Sequence, residues 1–169
     1  MKLEWYRRQM HRPLFSKTVF WRFHSCLSLA VAAGYGVALI WLLFLGNWLR
    51  LTVAVIVPAA VFFLVGWLRK KRNTLRPFAR LEEQPLHPHE PGCGCPSRHT
   101  ASAVILCWTM LLLPGQWGWV LFGILLVLTC LIGSIRVFTG MHFLRDVLLG
   151  AGISCLFGVF FDLPVLLFS

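Results

Sequence analysis

Charge is scarce in this chain. Of its 169 residues only 13% are charged, against 58% hydrophobic, and the mean hydropathy is +0.74. Soluble domains carry about 25% charged residues, so an ordinary cytosolic enzyme is excluded. A disordered chain is excluded by the same balance. Acids are scarcer still: six Asp and Glu stand against 16 Lys and Arg, for a formal net charge of +10. Such an excess points to nucleic acid, an anionic membrane surface or an anionic substrate. A disulfide framework is missing too. Cys26, Cys107, Cys130 and Cys155 fall inside apolar segments, where cysteine behaves as a small hydrophobe. Only Cys93 and Cys95 lie in a polar stretch; one intervening residue makes them a poor disulfide pair, and two ligands are too few for a metal without help. They read as loop residues. No cleavable leader is expected, because the basic region runs to Arg22 and no small-residue cleavage site follows the apolar run cleanly.

What the chain has instead is long stretches without a formal charge. Residues 25–49 give 25 such positions, Arg50 interrupts, and residues 51–68 give 18 more. Both are close to the roughly 20 residues that cross a hydrocarbon core. Gly46-Asn47 marks a turn between them, so a tight helical hairpin is expected. Residues 100–135 are again uncharged, but 36 positions are too many for one span, and Pro114-Gly115 punctuates them. A third span ending near Leu113 and a fourth over 117–134 follow; the third is short and recruits 96–99 as its first turn. Residues 147–168 form a fifth, with Asp162 near its end. In residues 1–24, Lys2, Arg7, Arg8, Arg12, Lys17 and Arg22 interleave with Trp5, Tyr6, Phe15, Phe20, Trp21 and Phe23. Basic and aromatic residues just before an apolar span suit the headgroup level, so an interfacial helix is expected rather than a nucleic-acid arm. The expected fold is all-α: a polytopic transmembrane helix bundle of about five spans plus that N-terminal interfacial helix, one membrane-embedded domain over 1–169.

Five crossings put the N-terminal segment, the 69–99 loop and the 136–146 loop on one face of the membrane. His11, His87, His89, His99 and His142 fall on that side, with His24 at the border of the first span. Positive charge, histidine and a carboxylate therefore converge, as suits an anionic group. That face also holds Lys2, Arg7, Arg8, Arg12, Lys17, Arg22, Lys71, Arg72, Arg80 and Arg145, against Arg50 on the other. The positive-inside rule then favours the cytoplasmic side for the site, with the outer side as the alternative, and a bacterial plasma membrane is the expected location.

Three segments carry the chemistry: Arg69-Lys70-Lys71-Arg72-Asn73-Thr74-Leu75-Arg76-Pro77, then Pro96-Ser97-Arg98-His99, then the stretch from Arg136 through His142 to Asp146. Each alone has a plain reading. Basic residues after an apolar run signal topology, a histidine near a helix start is a polar residue, and His142 and Asp146, four apart, make an ion pair on a helix face. Together they resemble the type 2 phosphatidic acid phosphatases, the membrane branch of the superfamily with bacterial acid phosphatases and vanadium haloperoxidases. That family's pattern is KxxxxxxRP, then PSGH, then SRxxxxxHxxxD. Arg76-Pro77, Pro96-Ser97 with His99, and Arg136, His142 and Asp146 match it in order, with both spacings of the last motif kept. Three positions depart. The family's Lys falls on Arg69, with Lys70 one place late; its Gly is Arg98; the Ser before the last Arg is Ile135, with Ser134 one place early.

The resemblance implies that His142 attacks phosphorus to form a phosphohistidine. Asp146 would hold the imidazole tautomer, and His99 would protonate the leaving oxygen and then activate water. Arg69 or Lys70, with Arg76, Ser97, Arg98 and Arg136, would bind the phosphoryl oxygens. No metal or other cofactor is implied, and a bell-shaped pH profile around the histidine range is expected. Substrates to expect are phosphatidic acid, phosphatidylglycerol phosphate or a prenyl diphosphate such as undecaprenyl diphosphate. Arg98, an added charge, favours the diphosphate. Three other readings stand beside this one: a lipid phosphotransferase using the same site, a membrane scaffold with a vestigial phosphate pocket, and a metal site. The metal would be held by His99, His142 and Asp146, or by Cys93, Cys95, His87 and His89.

Overall fold

The computed structural model describes residues 2–10, 17–83 and 91–168, and all of its regular structure is helical. The expected hairpin is present as α2 (Lys17–Phe44) and α3 (Trp48–Arg72). Its turn uses Gly46 at φ +66°, a conformation that side-chain-bearing residues rarely adopt, and Asn47 caps α3 by accepting from the Arg50 amide at 3.1 Å. Asn73 in the left-handed region ends α3, its amide bonded to the Arg69 carbonyl at 2.9 Å. The remaining elements are a short helix α4 (Pro77–Arg80), α5 (Arg98–Thr109) running into a 3₁₀ turn (Met110–Leu112), α6 (Gln116–Phe138), α7 (Leu144–Phe157), a π-helical turn (Gly158–Asp162) and α8 (Leu163–Phe168).

Four helical stretches are long and apolar enough to cross a membrane: Trp21–Phe44, Trp48–Arg80, Gln116–Phe138 and Leu144–Phe168. Their outward faces are apolar, with Leu29, Phe44, Phe63 and Phe160 exposed. This is an integral membrane protein. The expected third span differs from the other four. Twelve residues of α5 and three of 3₁₀ turn rise about 24 Å, short of a hydrocarbon core of about 30 Å. The reason lies in its place. α5 is at the centre of the bundle, packed by α2, α3, α6 and α7, with Ala101, Ala103, Ile105 and Cys107 all buried. A helix enclosed by protein has no need of a uniformly apolar surface, so Thr100, Ser102 and Thr109 are tolerated there.

α5 and α7 run side by side in the same direction, and the contact is close because of two glycines. A Cβ on Gly150 would meet the Ser97 carbonyl at 2.6 Å, and one on Gly158 would meet the Trp108 ring at 2.3 Å. Between them Ser154 donates its hydroxyl to the Ala101 carbonyl at 2.7 Å. This contact fixes the start of α7, with His142 and Asp146, beside the start of α5, with His99.

The N-terminal segment, expected at the membrane interface, contains helix α1 (Lys2–Met10), which docks on the protein itself. Tyr6 is buried among Val137, Val147 and Phe143, and its hydroxyl accepts from the Leu144 amide at 3.0 Å. Arg7 lies 3.7 Å from Glu83. The Tyr6 hydroxyl satisfies one of the amides left open at the start of α7. His11, Arg12, His87, His89 and Glu90 lie outside the described residues, and with them the two histidines of the Cys93, Cys95, His87 and His89 metal set expected at the polar loop.

Candidate active site

Backbone hydrogen bonds bring the three sequence segments to one end of the bundle. After α6 the chain reverses through Gly140 at φ +69°, and the Met141 and His142 amides both donate to the Arg136 carbonyl, at 3.1 and 3.0 Å. The six-residue spacing from Arg136 to His142 is therefore the length of one tight reversal. The Phe78 amide donates to the Gly140 carbonyl at 3.2 Å, which joins α4 to this turn. Gly94 donates to Thr74 at 2.8 Å, Arg76 to Pro91 at 3.0 Å, and Ser97 to the Asp146 carbonyl at 2.8 Å. Each segment is thus tied to another by main chain.

His142 is 1% exposed, and its Nδ1 lies 2.8 Å from the Gly94 carbonyl. A carbonyl can only accept, so Nδ1 carries the proton and Nε2 keeps its lone pair. The expectation that Asp146 holds this tautomer directly is corrected by the geometry. Its Oδ2 is 4.0 Å from Nδ1, beyond hydrogen-bonding distance. That oxygen instead accepts from the Phe143 amide at 3.0 Å, reaching back from the third position of α7 to the residue that caps it. The same carboxylate meets the Cys95 thiol, and its other oxygen lies 3.5 Å from Arg145 Nε. Asp146 is occupied by the start of its own helix, and Gly94 takes over the imidazole.

The electrostatics are those of a cationic cluster. Burial first, then Arg136, Arg76 and Arg69, hold His142 well below the usual histidine range, partly offset by the Gly94 bond. His99, in the first turn of α5 and partly exposed, is lowered below the usual histidine range by desolvation and then by Arg136, His24, Arg98 and Arg69. Arg136 and Arg69 bear on both imidazoles, so the two histidines face one group of guanidiniums. Arg136 and Arg76 are buried, at 4% and 5% exposure, and Arg136 Nε has no hydrogen-bond partner among the described residues. A buried donor of this kind is rare in folded proteins, and a guanidinium there is able to pair an anion.

The other expected residues divide. Arg69 is half-buried and inside the cluster, while its neighbour Lys70 is exposed; geometry favours Arg69 in the family's lysine position. Ser97 is fully buried at the start of α5, its hydroxyl 3.0 Å from that of Thr100. Arg98 is exposed, with its guanidinium over the Phe62 ring at 5.1 Å. Ser134 is exposed and bonded to the Cys130 carbonyl at 2.8 Å, away from the role its near-match suggested. Among the described residues, no three His, Cys, Asp or Glu side chains gather as a metal-binding group.

Three residues of the site were not singled out by motif. Gly94 acts through a carbonyl, which every residue has; its only signal is glycine itself, because a Cβ there would meet the Thr74 carbonyl at 3.0 Å and Arg76 Cγ at 3.2 Å. Cys95, read as a loop residue, is buried between Asp146 and Arg72, whose Nη1 lies 3.8 Å from Sγ. His24 of α2 is buried with its ring centre 5.7 Å from that of His99, stacked at 5.8 Å on Trp21.

The sequence model of the PAP2 superfamily matches residues 48–163. The chain belongs to the PAP2 superfamily. Of solved structures, the crystal structure of Aquifex aeolicus LpxE is similar, with a TM-score of 0.71 and 26% sequence identity over 94% of this chain and 92% of that one. No curated protein sequence matches the chain. The PAP2 match begins at Trp48, so α1 and α2, which supply Tyr6 and His24, precede it. The three motif segments and every bond between them lie within it.

Proposed function

We propose that this PAP2 protein is a lipid phosphatase that hydrolyses a phosphate mono- or diphosphate ester without a metal, through a phosphohistidine on His142. The observation that carries this reading is the buried imidazole with Nε2 free, facing Arg136, Arg76 and Arg69. Nε2 attacks phosphorus, and the bond to the leaving lipid or phosphate oxygen breaks as that oxygen takes a proton by way of His99. Water, deprotonated at His99, then attacks the phosphorus of the phosphohistidine, and inorganic phosphate leaves as Nε2 recovers its lone pair. The guanidiniums neutralise the phosphoryl oxygens throughout, the task a bound cation performs elsewhere. Asp146 steadies the imidazolium from 4.0 Å rather than through a hydrogen bond. The α5 segment completes a fifth crossing, with His99 before its apolar part. The excess of Lys and Arg on the site's face supports a cytoplasmic side for it.

The lowered pKa values set the sign of the pH dependence. His142 works unprotonated, and a pKa lowered well below the usual histidine value keeps it neutral through the ordinary histidine range, so it supplies no acid limb there. His99, lowered below the usual histidine range in the free enzyme, is mostly unprotonated at neutral pH; the proton enters with the phosphate monoanion, whose second ionisation lies at about 6. The expected kcat/KM is level below about pH 6 and falls about tenfold per unit above it, in place of a bell centred on the ordinary histidine range. A rate rising between about pH 6 and 8 overturns this assignment.

The deciding experiment is phosphate release by the purified protein in detergent with a strong chelator present. Phosphatidic acid, phosphatidylglycerol phosphate and undecaprenyl diphosphate form the panel. Release with no acceptor lipid present is expected, and its ranking assigns the substrate. No release from any of the three overturns the hydrolase reading in favour of a transferase or a non-catalytic pocket.

A further inference from the structure

A proton that His99 takes from water has a poor seat there. Arg136 of α6, Arg69 of α3 and Arg98 of its own helix all bear on the ring, and desolvation adds to the cost of a charge on it. A group able to take a proton onward stands beside it. His24 of α2 is 6% exposed, and its ring centre lies 5.7 Å from that of His99, with the planes tilted by 58°. At that separation two imidazoles reach one another directly or through one water. His24 also stacks on Trp21, with ring centres 5.8 Å apart and planes 17° from parallel. An indole face so placed is a favourable seat for an imidazolium. The family's motifs do not include this histidine, because α2 lies before the PAP2 match, which begins at Trp48.

We propose that His24 acts through His99, taking from it the proton displaced when His99 deprotonates the attacking water. The proposal rests on the phosphatase reading and gives its general base a proton partner. The step balances. The water oxygen bonds phosphorus, the bond from phosphorus to Nε2 of His142 breaks, and the water proton bonds one ring nitrogen of His99. The proton on the other ring nitrogen of His99 passes to His24. When inorganic phosphate leaves with the water proton, His24 returns its own to His99, and both rings are neutral again. The first half of the reaction has no need of this exchange, because the proton for the leaving oxygen enters with the phosphate monoanion. Loss of His24 should therefore touch the two halves unequally.

The test is rapid-quench kinetics on the fastest of phosphatidic acid, phosphatidylglycerol phosphate and undecaprenyl diphosphate, with phosphoenzyme and released phosphate measured together. His24→Phe keeps a flat ring against Trp21 and cannot take a proton. His24→Gln can hydrogen-bond but cannot take one either. Both are expected to form phosphoenzyme within about threefold of the wild-type rate, and to hydrolyse it about ten to a hundred times more slowly. Phosphoenzyme should accumulate, and kcat and KM should fall together, leaving kcat/KM nearly level. A purely structural loss would lower kcat/KM as well. Wild-type hydrolysis of the phosphoenzyme in both variants, or a loss of kcat/KM equal to that of kcat, overturns the inference. If one variant does not fold, the other decides.

Chemical rescue gives a second readout. Imidazole added to His24→Ala should enter the vacated space and speed hydrolysis of the phosphoenzyme, while His24→Phe, whose ring fills that space, should respond much less. Equal responses in the two would show imidazole attacking the phosphoenzyme itself and overturn the assignment to His24. A wild type that forms no phosphoenzyme brings down the phosphatase reading, and this inference with it; a wild type that forms one while the variants match it brings down the inference alone.

Discussion

His142→Gln is expected to leave a folded protein whose phosphate release has fallen by about 10⁴-fold or more, the scale set by removing a covalent nucleophile. Glutamine is the informative replacement. Its side-chain amide can donate to the Gly94 carbonyl as Nδ1 does, so the buried acceptor keeps a partner and the loop keeps its anchor. Alanine would remove the nucleophile and orphan that carbonyl together, costing about 1–3 kcal/mol of stability besides the activity. Wild type and His142→Gln should therefore melt within a few degrees of each other in detergent. The wild type alone should form an acid-labile phosphoenzyme when quenched during turnover. Activity retained within tenfold in His142→Gln removes His142 from the chemistry.

Arg136→Met separates function from stability, because the two should move in opposite directions. Arg136 is 4% exposed, its Nε lacks a partner among the described residues, and the neighbouring cations are Arg76, Arg69 and Arg98. A buried charge among like charges costs folding free energy, so an apolar side chain of similar length should raise the Tm by a few degrees. The same change removes a donor aimed at the phosphoryl oxygens, worth about 10² to 10³ in rate at comparable sites. Inorganic phosphate supplies the contrast. It should raise the Tm of the wild type by binding only the folded state and do much less for Arg136→Met. A variant that melts lower and still turns over would make Arg136 a structural residue, and phosphate would then have to be held by Arg69 and Arg76 without it.

Much of the fold was legible in the pattern of charge. Uncharged runs broken at Arg50 and at Pro114-Gly115 locate the apolar helices closely, because a helix facing lipid must be apolar over its whole outer surface and announces itself in composition. The segment whose surroundings composition leaves unread is α5, whose neighbours are protein. Its short length and its threonines follow from enclosure by α2, α3, α6 and α7, a fact held in no single stretch of sequence.

The site divides along the same line. Arg76, His99, Arg136, His142 and Asp146 stand out because phosphate chemistry needs those side chains, and their spacings are the lengths of local turns, such as the reversal that returns the His142 amide to the Arg136 carbonyl. Local spacing is written in the chain. What only the tertiary structure decided is which atoms meet across segments: that Gly94 rather than Asp146 bonds the imidazole, that Arg69 rather than Lys70 joins the cluster, and that His24 stands beside His99. Those outcomes depend on how α5 settles against α7 and on how the loops before it are tied to Thr74 and Asp146. A main-chain carbonyl brought in from 48 residues away leaves no mark on the residues around the histidine that it holds.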